Sequence, residues 1–234
     1  MDRIKGRARA WSIWPKLVTF LAMTLCAAPV AAQPWPNDLR LTTALDLSYA
    51  IDPKWTLDVF SEMRVDHDIS HLADLVLRPN IQYAFLPHWT VAAGYVQFEP
   101  LQARFATERG AFEDLFYATH FGALDVTNRL RLNETFADQS SAMLIFSSYL
   151  LALQHPIGES TWFAALSNEV LFNLKVDGTG REAGFQVNKS YVGIGYPVDQ
   201  RISLTAGYEL AVDDIRGTLF TAHTIKLGAG IKLN

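Results

Sequence analysis

Along most of this chain, hydrophobic and polar residues alternate with a period of two. In Leu39–Tyr49, Leu39, Leu41, Leu45, Leu47 and Tyr49 share one side of an extended backbone with Thr43, while Arg40, Thr42, Asp46 and Ser48 share the other. In Trp55–Val65, Trp55, Leu57, Val59, Met63 and Val65 oppose Thr56, Asp58, Glu62 and Arg64. In Leu75–Phe85, Leu75, Leu77, Ile81, Tyr83 and Phe85 oppose Arg78, Asn80 and Gln82, and in Ile202–Val212 the apolar set opposes Ser203, Thr205, Gly207 and Glu209. Such patterning gives each strand one apolar and one polar face. The same reading predicts further strands at Trp89–Phe98, Glu113–Phe121, Thr127–Phe136, 142–153, Trp162–Asn173, Val187–Tyr196 and Thr224–Leu233, eleven in all.

Connectors divide into two classes. "IDPKW", "LPHW", "GALDV", "PIGESTW" and "YPVDQR" are short, whereas the segments around 66–74, 99–112, 174–186 and 213–223 are longer and more polar. Short turns at one end and long loops at the other are the habit of an outer-membrane barrel. Tyr49, Trp55, Phe85, Trp89, Trp162 and Tyr196 flank the short turns, as an interfacial aromatic girdle would. The polar faces carry Asp58, Glu62, Arg64, Arg78, Arg129, Arg131 and Glu209, charges that a dry sandwich core would have to pair. In lipid, the apolar faces need no second layer, and closure of the sheet satisfies the backbone. The prediction is therefore an all-β, antiparallel transmembrane β-barrel, with a periplasmic β-sandwich as the alternative. Because bacterial barrels normally have even strand numbers, ten to twelve strands are expected, with twelve favoured over the eleven visible segments.

The N-terminus fits that destination. Arg3, Lys5, Arg7, Arg9 and Lys16 precede the apolar stretch "LVTFLAMTLCAAPVAA", and Val30 and Ala32 suit a cleavage site before Gln33. Residues 1–32 read as a secretory signal peptide and 33–234 as the barrel domain. The single cysteine, Cys26, lies in the signal, and Leu25 before it does not suit lipidation, so no disulfide framework is expected. Cleavage would leave 15 basic and 23 acidic residues, a net charge of −8, which argues against a nucleic-acid partner. The expected partners are outer-membrane lipid, the outer-membrane assembly machinery and a small charged solute. No cofactor is expected.

Glu62 and Arg64, two apart, project to one side, as do Arg129 and Arg131. Inside a narrow barrel these groups, with Arg78, either link to one another and plug the lumen or form a selectivity zone for a charged solute. Enzymatic chemistry has little support. Ser141, Ser147, Ser148, His120 and His223 show no nucleophile-base spacing, and no serine lies in Gly-x-Ser-x-Gly. His67 and His71, with Asp66 and Asp68, could bind a divalent ion weakly, but a hydrophilic loop explains them as well. "VDGTGREAG" (176–184) lacks the lysine of a phosphate loop, and Asn188-Lys189-Ser190 carries no weight as a glycosylation site on a barrel wall. Glycines 193, 195, 207, 228 and 230 would leave room for bulky inward neighbours.

Glu62-x-Arg64, "LVLRPNIQYAF", "AAGY" ending at Tyr95, Arg129-x-Arg131, Asn168-Glu169, "FQVNKSYVGIGY" and "LTAGYEL" occur in an order that resembles a family of proteobacterial outer-membrane barrels catalogued only as a domain of unknown function. The resemblance spans about Leu39 to Leu233 and implies location and architecture, not an activity. The chain departs from the family at Asn133 and Thr135, where further charges are favoured, and at Lys189, where arginine is. Its last residue, Asn234, stands where many barrels carry an aromatic. The functional expectation is a small solute pore, against a closed structural or interaction barrel acting through its loops, or a lipid-modifying enzyme at the barrel wall.

Overall fold

The computed structural model describes residues 37–101, 106–138, 143–175, 183–215 and 218–234. The predicted signal peptide, Ser141 and most of the 176–184 loop lie outside these residues. Eleven strands follow one another: β1 (Asn37–Ala50), β2 (Trp55–Asp66), β3 (His71–Leu86), β4 (Trp89–Pro100), β5 (Glu108–Phe121), β6 (Leu124–Ala137), β7 (Met143–Pro156), β8 (Phe163–Asn173), β9 (Gly184–Pro197), β10 (Ile202–Ile215) and β11 (Thr218–Lys232). They form one closed barrel in which each strand pairs with its neighbours in sequence, and β1 closes on β11.

All the eleven segments read from alternation are strands, and the favoured count of twelve is not met. The even-number rule assumes that the first and last strands run in opposite directions. Here β1 and β11 are parallel and pair over twelve positions, from Asn37 opposite Thr221 to Ser48 opposite Lys232. A parallel ladder closes an odd sheet as completely as an antiparallel one closes an even sheet, with evenly spaced, slanted bonds. Leu233 N–H donates to Ser48 O at 2.8 Å, and the Asn234 side chain caps the joint, accepting from Ala50 N–H at 2.9 Å and donating to Ala50 O. The C-terminal asparagine thus occupies a specific place at the seam.

Strand tilt follows from the register. Ladder partners traced from Asn37 through Thr221, Val212, Asn188, Val170, Tyr149, Leu130, Leu115, Val91, Tyr83 and Trp55 arrive at Ile51, whose N–H donates to Trp55 O at 2.9 Å. One circuit therefore climbs about 14 residues along β1, and with eleven strands this means a tilt of roughly 40° and a backbone diameter of roughly 20 Å.

The predicted girdle is present at the turn end. Trp55 stacks against Tyr83 with ring centroids 4.5 Å apart, Trp89 against Tyr117 at 4.8 Å and Trp162 against Tyr196 at 5.0 Å. Between the ends, Leu57, Val59, Leu77, Ile81, Val91, Leu204, Ile225 and Leu227 stand exposed on the outer wall. A soluble protein seldom displays so much continuous apolar surface. The closed sheet and this outer wall place the protein in an outer membrane, where lipid covers the exposed apolar side chains.

The strands outrun the sequence reading at the loop end. β3 begins at His71, β5 at Glu108 and β11 at Thr218, so the connectors expected around 66–74, 99–112 and 213–223 are largely strand. Only four residues join β2 to β3. His67, Asp68 and Ile69 take φ of 50°, 55° and 61° in succession, a left-handed bend uncommon for residues with side chains. Within it, the His67 and His71 rings lie 5.2 Å apart, His67 pairs with Asp66 and His71 with Ser70.

Candidate functional site: the charged tier of the lumen

Alternation turns every second residue inward, and ion pairing joins those side chains into a tier near mid-height. Asp58, Glu62, Arg64, Arg78, Arg129, Arg131 and Glu209 all stand on the strand faces opposite the exposed apolar side chains. Arg131 on β6 faces Asp114 on β5 through two hydrogen bonds, Nε to Oδ1 at 2.7 Å and Nη2 to Oδ2 at 2.6 Å. The two side chains are 9% and 2% exposed, and the Arg131 guanidinium also lies 4.5 Å from the centre of the Phe112 ring. Arg129 reaches across β7 to Glu169 on β8 at 2.5 Å. Arg64 holds Glu62 at 2.5 Å along β2 and Asp74 on β3 at 3.6 Å. Lys226 on β11 meets Glu209 on β10 at 2.9 Å, and Asn80 donates to Asp58 at 2.9 Å.

These bonds follow the wall. Each joins residues on the same strand, on adjacent strands or on strands one apart. Among the described residues, Arg78 and Lys189 form no ion pair. Arg78 stands opposite Phe60, 5.8 Å from its ring centre, and its Nε has no hydrogen-bond partner. The Nε of Arg129 and the side-chain oxygens of Asn133 and Thr135 are likewise without partners.

Sequence reading missed Asp114, Glu169, Lys226 and Asp74, the partners of its own candidates. Asp114 follows Glu113, and alternation alone does not say which of two adjacent acids points inward. The register does, placing Asp114 opposite Arg131 and sending Glu113 to the outer wall. The signal for Glu169 was its adjacency to Asn168: Glu169 points in, whereas Asn168 points out and donates to Asn188 at 2.7 Å and Ser190 at 3.0 Å.

The lumen is not uniformly polar, as the alternation implied. Two positions toward the loops from Arg78, Asp114, Glu169, Lys189 and Glu209 stand Val76, Phe112, Leu171, Val187 and Ala211. Val76, Phe112 and Val96 form one buried cluster with Phe98 against it; Val187, Ala211 and Ala222 form another with Leu171 against it. Two apolar patches, one on β3 to β5 and one on β8 to β11, thus lie loopward of most of the charged tier, with Asp74 and Asp213 beyond them.

Small residues shape the remaining wall. A Cβ on Gly193 would lie 2.1 Å from the Tyr191 hydroxyl, and one on Gly207 2.5 Å from the same ring. The Tyr191 ring thus lies flat on two glycines of β9 and β10 instead of projecting across the bore. Phe163 covers Gly195 in the same way, 2.0 Å from where a Cβ would stand. This is the room that the glycine pattern foresaw.

No curated protein sequence matches the chain. A family model described as "Protein of unknown function (DUF2490)" matches residues 41–217, from β1 to the end of β10. The matched stretch covers most of the chain and holds nearly all of the charged tier, and the chain belongs to this family.

Proposed function

We propose that the barrel is a narrow pore for small anions, selected at the charged tier and gated by the apolar patches on its loop side. The observation that carries this reading is the course of the ion pairs: they run along the wall, and Arg78 stands among them with no ion pair of its own among the described residues. A plug made of ion pairs would link opposite walls, whereas these pairs follow the wall from strand to strand. Paired acids keep the tier from trapping an anion, and the Arg78 guanidinium, which has no ion pair of its own, supplies a local attraction. The apolar patches would resist ion passage when dry and admit it when wet. Folding into the membrane would draw on the outer-membrane assembly machinery, as for other barrels of this build.

The size of the selectivity follows from Coulomb's law. A unit charge about 8 Å from the axis, at an effective permittivity of about 40, is worth about 1 kcal/mol, or roughly fivefold in local anion concentration. Reconstituted in planar bilayers, the protein should show discrete conductance steps with anion preference. Arg78→Gln should lower the anion-to-cation permeability ratio by roughly that factor. A folded protein that leaves the bilayer silent, with and without Phe112→Ala to open its apolar patch, refutes the pore.

A further inference from the structure

The outer wall carries a groove over β1 to β4, whose lining also takes in Ala44, Glu62 and Val76 of the same strands. Ser61 on β2 is small and faces outward between two leucines, Leu45 on β1 and Leu77 on β3, its direct ladder partners. Thr43, Met63 and Leu75 continue the depression toward the loops, giving a groove of about 520 Å³ in the lipid-facing surface. That volume lies within the roughly 300–1,000 Å³ that ordinarily seats one ligand.

Its loopward rim is polar, bounded by Gln97 and Glu99 of β4. Tyr95 donates to Gln97 at 3.4 Å, Gln97 to Glu99 at 3.2 Å, and Thr107 to the other Glu99 oxygen at 3.0 Å. Arg109, the ladder partner of Gln97, stands half-exposed beside this chain, with Asp138 at 3.0 Å. Carboxylate and amide acceptors next to an arginine, at the upper edge of an apolar band, form a head-group surface rather than a packing interface. A floor too small to fill the wall and a rim of opposed hydrogen-bonding groups call for a ligand with a hydrocarbon tail and a head bearing both hydroxyls and phosphate.

We infer that the groove seats one acyl chain of a phosphorylated, hydroxyl-rich glycolipid of the loop-side leaflet, with Gln97 and Glu99 accepting from its hydroxyls and Arg109 meeting its phosphate. Bilayer hydrocarbon is what this wall faces, so the occupant comes from the membrane itself. The acid at the rim disfavours an anion alone, and the arginine disfavours an ammonium alone; a head with both donors and phosphate satisfies each.

The test titrates the folded full chain in detergent micelles with hexa-acylated lipid A, counting adducts by native mass spectrometry. Phosphatidylethanolamine serves as the comparison lipid. The wild type should hold one lipid A per barrel. Ser61→Trp, or the milder Ser61→Leu, should weaken it at least tenfold, while Val192→Trp on the far wall leaves it unchanged. Gln97→Leu with Glu99→Leu should weaken lipid A and leave phosphatidylethanolamine unaffected. Absence of a one-to-one adduct, or an adduct indifferent to both Ser61 variants, overturns the site. Equal, Ser61-sensitive binding of both lipids overturns the head-group assignment. Heat-modifiable gel mobility identifies the folded variants.

Discussion

The bidentate link between Asp114 and Arg131 offers the sharpest test of the luminal energetics. Asp114→Ala removes both acceptors and leaves a guanidinium that is 9% exposed, facing Phe112 and near the equally unpaired Arg78. Two charge-assisted hydrogen bonds are lost, each worth about 1.5–3 kcal/mol. Breaking one side of a buried ion pair typically costs about 3–5 kcal/mol, because the surviving charge stays desolvated. Water entering the space vacated by the Asp114 carboxylate would rehydrate part of Arg131, so the expected cost is at the lower end, about 3 kcal/mol. Asp114→Leu with Arg131→Met removes both charges and leaves no orphan, and should cost less than either single change. Reversible urea unfolding in lipid vesicles, followed by tryptophan fluorescence, gives both numbers. An Asp114→Ala loss below about 1 kcal/mol, or a double variant as unstable as the singles combined, would falsify the view that this pair is buried and coupled.

Three further outcomes follow from the same geometry. Gly193→Val should drive the Tyr191 ring off the wall, costing about 1–3 kcal/mol, and Tyr191→Ala should relieve most of that loss; vesicle unfolding measures both. Leu227→Arg, in the middle of the apolar outer wall, should cost about 2–4 kcal/mol, against about 0–1 for Tyr49→Arg in the girdle, and equal costs would contradict the assigned membrane span. Asn234→Ala should remove about 1 kcal/mol and speed amide exchange at Ala50 and Leu233 without affecting the β5–β6 ladder.

What could be read beforehand divides along the membrane boundary. From the turn end to mid-height, one face of each strand meets lipid, so selection enforces alternation, and starts such as Trp55, Trp89 and Ile202 are placed to the residue. At the loop end polar residues fall on both faces, as the adjacent Glu108 and Arg109 do. The apolar signal fades there, and Glu108–Phe112, His71–Asp74 and Thr218–His223 read as loop although backbone pairing continues through them. The seven charged candidates were legible on the polar strand faces because isolated charges among apolar neighbours are conspicuous. Their partners were less so, since pairing across strands depends on register, and the register between β6 and β8 is written in neither strand alone. The apolar patches were hidden for a different reason. Val76 and Phe112 look like ordinary strand residues until the inward parity of Arg78 and Asp114 is fixed.

The seam between β1 and β11 also decides the calibre of the barrel. Every other ladder is held in register by a connecting turn or loop, but these two strands meet with the rest of the sheet between their ends. A slip of one residue there would turn β1 inside out. A slip of two would keep every side chain on its proper side while altering the stagger, and with it the tilt and the bore. The slip would be resisted by the Arg40–Asp213 contact across the seam and at its edge, where Asn234 clasps Ala50. The width of the barrel is thus a property of where two strand ends are fastened, as the fit of a belt is set by the hole chosen for its buckle.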